Sequence, residues 1–307
     1  MDYILETSQL TKQYGSYKAV NNVNLHIKEG SIYGFIGRNG AGKTTFLKMI
    51  CGMASPTSGT IKLFGTEKNN IGTQMNKVGV LIEAPGLYPS MTAFDNMRLK
   101  YICSGMAKPD KNEYINSLLK LVGLDSVGNK KAGCFSLGMK QRLGIAMALV
   151  GDPKLLLLDE PINGLDPQGI AEVRDTIIKL NKERNITIII SSHILEELSK
   201  IATDYGIIDK GVLIKELTGQ QLADSCQERL VISADNASEA ESVIKDMGFQ
   251  KYSVIDGNTI EIYERYNETP ELIFALADKK VRINSISPKN ESIENYFIRI
   301  TGGNTNA

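Results

Sequence analysis

The sequence predicts an α/β fold followed by a smaller α+β unit. Two continuous apolar runs, at residues 154–158 and 186–191, are typical of strands that are buried on both faces of a parallel sheet. An amphipathic helical pattern over 168–180 separates the two runs. A glycine-rich turn at 37–42 lies between a β-rich segment and another helical pattern. Because strands and helices alternate along the chain in this way, we expect helices to cover a mostly parallel sheet.

The other elements of the first 220 residues follow from the same patterns. The N-terminal part alternates apolar and polar residues, which predicts short strands, whereas the stretch 85–150 has mostly helical periodicity. We expect this stretch to form a helical subdomain on the α/β core. The predicted strands of the first part lie at 3–7, 23–27, 31–36 and 60–64, and the predicted helices follow residue 44 and span 137–149.

Beyond residue 220 the pattern changes to β-α-β-β-α-β, which suggests a small ferredoxin-like α+β unit. The turn at 256–258 (DGN) joins the second and third strands of this unit as a hairpin. The predicted strands lie at 229–233, 252–255, 259–263 and 282–287, and the predicted helices at 238–247, 270–277 and 292–300.

The distribution of charge also indicates a boundary near residue 220. Residues 1–220 contain 26 basic and 21 acidic residues, whereas residues 221–307 contain 9 basic and 14 acidic ones. The zero net charge of the chain is therefore the sum of +5 and −5. We expect one domain over 1–220 and an accessory α+β domain over 221–307.

Composition excludes several classes of protein. The 307 residues, 42% of them hydrophobic, are enough to bury a sizeable core, and the balanced charge does not favour nucleic acid as a partner. No apolar run is long enough to span a bilayer, and the first twenty residues carry no secretory signal. The four cysteines lack CxxC spacing and there are two histidines. We therefore expect a cytosolic protein with free thiols and without a His-based zinc site.

The glycine-rich turn matches the phosphate-binding pattern GxxxxGK[ST]. Glycines allow backbone N–H groups to curl round a phosphate, and the helix that begins near Lys43 directs its positive end at the same anion. The lysine of this pattern contacts the β- and γ-phosphates and assists catalysis there. The hydroxyl of the next residue, a serine or threonine, binds Mg²⁺. Since the turn lies between a predicted strand and a predicted helix, we expect it to bind the β- and γ-phosphates of a nucleotide together with Mg²⁺. The candidate residues of this phosphate-binding turn are Gly37, Asn39, Gly40, Ala41, Gly42, Lys43, Thr44 and Thr45.

Two acidic residues follow the buried run at 154–158. Asp159 stands at the carboxyl end of the predicted strand, where ligands bind in open α/β sheets, and can hold Mg²⁺ directly or through water. Glu160 is placed to polarise a water molecule for in-line attack on the γ-phosphate. The alternative is a pair of acids that only end a strand, and the phosphate-binding turn makes it the weaker reading. We expect Asp159 to be a metal ligand and Glu160 to be the general base.

Five motifs in one order resemble the ATP-binding cassette family over about residues 1–220. Besides the phosphate-binding turn and the acidic pair, residues 135–142 (FSLGMKQR) are similar to its signature sequence. Residues 164–167 (GLDP) are similar to its D-loop, and residues 191–193 (SSH) to the strand that ends in its switch histidine. Tyr14 matches the aromatic residue on which adenine stacks. The resemblance implies a P-loop ATPase cassette with a helical subdomain.

The resemblance also implies partners. Two cassettes stack head to tail, so that the phosphate-binding turn of one chain and Ser136 and Gly138 of the other grip one nucleotide, with Asp166 as a further nucleotide-binding residue. The chain has one turn and one signature, so it must dimerise, with itself or with a related cassette. ATP binding closes the pair, and hydrolysis through Glu160 and His193 reopens it. A separate integral membrane permease would anchor the pair at the cytoplasmic face of the cell membrane.

The chain departs from the family pattern at three positions. Leu137 and Met139 replace the usual glycine and glutamine of the signature, and Glu83 stands where most members have glutamine. A carboxylate at 83 still supplies an oxygen for Mg²⁺ or the attacking water, so Glu83 is a candidate catalytic and metal-binding residue. It also adds negative charge beside the triphosphate and lacks the donor of an amide. With Pro85 and Tyr88 following, this variant resembles the bacitracin and lantibiotic self-protection transporters of Gram-positive bacteria.

Apolar side chains between residues 83 and 101 are candidates for the groove that receives the permease, although helical apolar spacing also fits simple core packing. These side chains are Leu87, Tyr88, Met91, Phe94 and Met97. The expected function is that of an ATP-hydrolysing subunit that powers export or removal of a peptide antibiotic. Two alternatives stay open at this point: a single-cassette ATPase without transport, and an ATP-gated regulatory module.

Overall fold

The computed structural model describes residues 3–226, 228–289 and 292–302. The chain divides into two compact units, Met1–Gly219 and Gln220–Ala307. Among the described residues, no helix combines the length and the apolar character needed to cross a membrane.

The structure gives the following bounds for the strands and helices. The strands of the first unit are β1 (Tyr3–Tyr14), β2 (Tyr17–Lys28), β3 (Ile32–Ile36), β4 (Ser58–Leu63), β5 (Thr66–Glu67), β6 (Val78–Leu81), β7 (Leu155–Asp159), β8 (Thr187–Ser192), β9 (Asp204–Asp209) and β10 (Val212–Thr218). Its helices are α1 (Lys43–Ile50), α2 (Ala93–Cys103), α3 (Lys111–Leu121), α4 (Leu137–Ala148), α5 (Pro167–Arg184) and α6 (Leu195–Ser199). After α7 (Gly219–Ser225), the second unit contains β11 (Arg229–Ala234), α8 (Ala237–Asp246), β12 (Tyr252–Val254), β13 (Thr259–Ile262), α9 (Thr269–Asp278), β14 (Ile283–Lys289) and α10 (Ile293–Ile300).

The larger sheet of the first unit confirms the predicted α/β fold. Its strand order is β10-β9-β3-β8-β7-β6. The neighbours from β9 to β6 are parallel, and β10 pairs antiparallel with β9. Every residue of β3, β7 and β8 is buried, which is why these strands form continuous apolar runs in the sequence. Because their carboxyl ends share one edge, residues 37, 160 and 193 follow these strands at the same edge of the sheet.

A second, antiparallel sheet packs against the first through α1. Its order is β2-β1-β4-β5. The ring centroids of Phe35 on β3 and Phe46 on α1 lie 4.9 Å apart. Leu5, Leu25 and Leu63 of the antiparallel sheet belong to the same buried cluster. This shared core fixes α1, and with it the phosphate-binding turn, between the two sheets.

The stretch between residues 85 and 150 forms the predicted helical subdomain. Side-chain oxygens cap its three helices: Thr92 accepts from the Asp95 N–H, Asp110 from two amides of α3, and Ser136 from an amide of α4. Ile115, Leu118 and Leu119 form the buried face of α3, and this spacing is part of the helical periodicity that predicted the subdomain.

The second unit has the predicted βαββαβ order. Its sheet runs β12-β13-β11-β14, and each neighbouring pair is antiparallel. The turn at 256–258 connects β12 and β13, as predicted. Alternate residues of β11 are buried in a core shared with α8 and α9, including Leu230, Ile232, Ile244 and Leu272. The unit therefore has a hydrophobic core of its own.

Candidate active site

The phosphate-binding turn joins β3 to α1 in a conformation that needs glycine at specific positions. Gly42, the residue before α1, has φ of 105°, and a Cβ there would lie 2.3 Å from the Ala19 carbonyl oxygen. Gly40 has φ of 80°. Both values lie in the region that residues with a Cβ rarely adopt. The first backbone N–H groups of α1 have no partner within the helix and are therefore available to an anion.

A cavity of about 360 Å³ opens over this turn. Such a concave site, with converging backbone amides and one buried ammonium group, fits the phosphates of a nucleotide. The residues that line the cavity are Tyr17, Ala19, Asn39, Gly40, Ala41, Gly42, Lys43, Thr44, Thr45 and Glu160. Gly37 is buried at the start of the turn, where a Cβ would lie 2.6 Å from the Ile208 carbonyl oxygen.

Lys43 supplies the positive charge of the cavity. Its side chain is only 6% exposed, and Nζ donates to the Gly37 carbonyl oxygen at 2.6 Å and to that of Arg38 at 3.3 Å. The same Nζ lies 3.1 Å from Oε1 of Glu160. A buried charge is stable only when it is paired and hydrogen-bonded. The Glu160 carboxylate is therefore bound to the Lys43 ammonium group at a position where a phosphate oxygen could bind instead.

Asp159 and Thr44 form a set of hard oxygen donors beside Lys43. Asp159 is buried at the end of β7, where Oδ2 accepts a hydrogen bond from Thr44 Oγ1 at 2.8 Å and Oδ1 accepts one from Ser191 Oγ. Within the described parts of the chain, no group of three or more His, Cys, Asp or Glu residues could hold a metal ion by itself. A hydroxyl and a carboxylate fit Mg²⁺ because this ion usually takes one or two protein ligands together with phosphate oxygens and water.

Glu160 and His193 are in direct contact. His193 Nδ1 lies 2.8 Å from Glu160 Oε2. The backbone of Glu160 has φ of 48°, and its N–H donates to the carbonyl oxygen of Ser191 at 3.1 Å and to the Ser191 hydroxyl at 3.0 Å. These bonds hold Glu160 in the left-handed conformation, which a residue with a Cβ adopts only under constraint. A continuous chain of contacts thus runs from Lys43 through Glu160 to His193.

Glu83 and Tyr14 are among the predicted site residues that do not line the cavity. The Glu83 carboxylate bonds to Lys48 Nζ at 2.6 Å rather than to a residue of the cavity. Tyr14 is 53% exposed, with Lys12 Nζ 4.9 Å from its ring centroid. Tyr17, which pairs with Tyr14 across the β1–β2 turn, lines the cavity instead. No motif of the sequence points to Tyr17, although a tight turn at Gly15 places the two tyrosines side by side.

The signature and D-loop residues form a second cluster. Ser136 is the N-cap of α4 and accepts from the Met139 N–H at 3.2 Å, and Asp166 is the N-cap of α5 and accepts from the Gly169 N–H at 3.1 Å. A Cβ on Gly138 would lie 3.3 Å from Gly169 Cα, so α4 and α5 begin side by side. Ser136, Gly138 and Asp166 are not among the residues that line the cavity.

The five candidates for a permease groove differ in exposure. Met97 is completely buried and therefore belongs to the core of the subdomain, in agreement with the core-packing alternative. Leu87, Met91 and Phe94 are half-buried, and Tyr88 is 55% exposed. Apolar spacing on a helix cannot distinguish core residues from contact residues, because both lie on one face.

Comparison with known proteins places this site in a family. A family model described as "ABC transporter" matches residues 20–163. The chain is 40% identical to the "Bacitracin transport ATP-binding protein BcrA" of Enterococcus faecalis over 99% of this chain and 98% of that protein. The chain belongs to the ABC transporter family. It is an ATP-binding cassette ATPase, which binds and hydrolyses ATP.

Other relatives and solved structures match a smaller share of the chain. The "Lantibiotic transport ATP-binding protein SrtF" of Streptococcus pyogenes is 45% identical to it over 69% of this chain and 90% of that protein. The structure of cbiO1 from Clostridium perfringens, part of the ABC transporter complex cbiONQ, matches with a TM-score of 0.66 at 28% identity and covers 73% of this chain and 92% of that chain. A cassette solved as a dimer in a post-hydrolysis state with ADP and Pi matches with a TM-score of 0.62 at 26% identity and covers 70% and 98% of the two chains.

Proposed function

We propose that this cassette ATPase powers the export or removal of a bacitracin- or lantibiotic-like peptide antibiotic through a separate membrane permease, at the inner face of the cell membrane. The observation that carries this proposal is the extent of the similarity to BcrA. It covers 99% of the chain, so it includes the C-terminal unit as well as the cassette. SrtF, whose name also refers to transport of a peptide antibiotic, supports the same substrate class through the cassette.

In the proposed mechanism the cavity binds ATP together with Mg²⁺. ATP supplies the reactive phosphoanhydride, and the metal would supply a positive charge beside it. The amides of the turn and the Lys43 ammonium group hold the phosphates. Thr44 and Asp159, already 2.8 Å apart through Oγ1 and Oδ2, hold the metal, with Glu83 as a further candidate ligand. Tyr14, or Tyr17 beside it, contacts the adenine. When the phosphates bind, Lys43 Nζ leaves the Glu160 carboxylate and bonds to phosphate oxygens, because a polyanion is the stronger partner for a buried ammonium group.

This exchange prepares Glu160 to act as general base. Once Lys43 has moved to the phosphates, Oε1 of Glu160 is free to accept a proton from the attacking water. His193 keeps its contact with Oε2 and thereby orients the carboxylate. The Ser191 hydroxyl accepts from the Glu160 backbone N–H and donates to the Asp159 carboxylate. These two bonds fix the position of the base relative to Asp159.

The position of Ser136, Gly138 and Asp166 outside the cavity supports a homodimer. The N-terminus of α4 carries unpaired amides and the Ser136 hydroxyl, which together fit a phosphate. In the proposed head-to-tail pair, the cluster of one chain completes the cavity of its partner, and ATP binding closes the two chains round both nucleotides.

A mixing experiment tests this arrangement. Lys43→Ala and Ser136→Arg chains are each expected to be inactive alone, but an equal mixture should recover about a quarter of wild-type ATPase activity, because each mixed dimer keeps one intact site. The measurement is phosphate release after the chains are combined. Mixing Lys43→Ala with the Lys43→Ala/Ser136→Arg double variant is the control, since no intact site can form. Activity no higher than in this control would exclude shared sites.

Growth in the presence of antibiotics tests the substrate class. A strain without the gene is expected to be inhibited by lower concentrations of bacitracin or of a lantibiotic, and the wild-type gene should restore growth. The Glu160→Gln gene should not restore it, because transport would lack its energy source. Antibiotics that are not peptides serve as controls. Equal inhibition of the three strains by every peptide would refute the proposed substrate class and leave the ATPase activity unaffected.

A further inference from the structure

An ion pair joins α1 to the loop that follows β6. Lys48 lies on α1 four residues after Thr44, so their side chains share one face of the helix. Its Nζ donates a hydrogen bond to Oε1 of Glu83 at 2.6 Å. Glu83 follows the end of β6 by two residues, and β6 pairs in parallel with β7, whose last residue is Asp159. The pair therefore bridges α1 and the edge of the sheet that carries the proposed metal ligand.

Three carboxylates lie at this edge of the sheet, where a triphosphate is proposed to bind. Asp159 and Glu160 stand at the end of β7, and Glu83 follows the adjacent strand. Lys43 pairs with Glu160, whereas Lys48 pairs with Glu83. The hydrogen bond to Glu83 raises the pKa of Lys48 above its ordinary value, and the charges of Glu83 and Asp159 add to this effect while desolvation opposes it. The Lys48 ammonium group, 2.6 Å from Oε1 of Glu83, compensates the charge of this carboxylate.

Glu83 makes this contact from a constrained position. Its φ is 65°, in the left-handed region that is unfavourable for a residue with a Cβ. Its side chain is 67% exposed, so water screens the carboxylate in part. An unpaired carboxylate at this place would repel nearby phosphates, but by a modest amount because of that screening.

We propose that Lys48 is a positioning residue for Glu83 and carries the charge that makes a carboxylate at this place compatible with a bound triphosphate. With Lys48 present, the two side chains together add no net charge beside the phosphates. Without Lys48, the Glu83 carboxylate loses its partner and opposes nucleotide binding. Lys48 acts through Glu83 and not on the phosphates themselves. This inference rests on the proposed position of the nucleotide in the cavity.

The test is a double-mutant cycle on the full-length chain. Binding of ADP in the presence of Mg²⁺ is measured by calorimetry for wild type, Lys48→Gln, Glu83→Gln and the double variant. We expect Lys48→Gln to weaken binding by about three- to tenfold in the wild-type background. In the Glu83→Gln background the same change should alter binding by less than about twofold. Lys48→Arg, which keeps the charge and a donor, should bind like wild type.

Two controls and two contrary outcomes complete the test. Lys120→Gln, an exposed lysine on α3, reports the general effect of one lost positive charge, and thermal unfolding shows whether each variant is folded. An equal loss in both backgrounds would mean that Lys48 attracts the phosphates directly and would overturn the proposal. No loss in either background would overturn it as well. The proposed metal role of Glu83 fails on a different result, namely identical Mg²⁺ titrations of ADP binding for wild type and Glu83→Gln.

Discussion

Glu160→Gln is expected to reduce the rate of ATP hydrolysis by about 10²- to 10⁴-fold, the range that a positioned general base contributes. The amide keeps the shape of the side chain and a possible hydrogen bond to His193, but it cannot accept a proton from water. The variant should therefore bind ATP, close the dimer and remain closed. Phosphate release measures the rate, and size-exclusion chromatography with ATP detects the trapped dimer.

The same substitution is expected to tighten binding of ADP. Lys43 Nζ lies 3.1 Å from Glu160 Oε1, and this ion pair must be exchanged when phosphates bind. A neutral amide holds Lys43 less strongly, so ADP affinity should rise by about two- to tenfold. Glu183→Gln, the same chemical change at an exposed position of α5, is the matched control. Hydrolysis by Glu160→Gln at the wild-type rate would remove Glu160 from the role of base.

The parts of the fold that could be predicted are those whose signal is local. β7 and β8 are buried on both faces, so their sequences are continuous apolar runs. The phosphate-binding turn was predictable because its glycine positions follow from backbone sterics, as the close approach of Gly42 to Ala19 shows. The hairpin at 256–258 was predictable from its turn residues. In each case a short segment contains the physical cause of its own structure.

The parts that could not be predicted depend on contacts between distant segments. β9 and β10 were not predicted, although β9 completes the parallel sheet beside β3. The ion pairs Lys43–Glu160 and Lys48–Glu83 join residues that are far apart in sequence. Motif order brought Lys43, Glu83 and Glu160 into one hypothesis, but only the order of strands β3, β8, β7 and β6 places them at one edge.

Lys43→Ala is expected to weaken binding of ADP and Mg²⁺ by about 10- to 100-fold, the value of one or two hydrogen bonds to a charged group. It should also abolish measurable hydrolysis. Calorimetry measures the affinity, and phosphate release measures the turnover. Lys154→Ala, an exposed lysine that does not line the cavity over the turn, is the matched control. Unchanged ATPase kinetics in Lys43→Ala would remove the phosphate-binding role of this lysine.

The loss in Lys43→Ala has two separable causes. One is the missing attraction between the ammonium group and the phosphates. The other is the Glu160 carboxylate, which loses its partner and faces the phosphates as an unpaired charge in a partly buried site. The double variant Lys43→Ala/Glu160→Gln removes the second cause alone, so it should regain part of the ADP affinity while hydrolysis stays absent for lack of a base. Equal affinity of the single and double variants would show that Glu160 does not oppose the nucleotide, and that Lys43 acts on the phosphates alone.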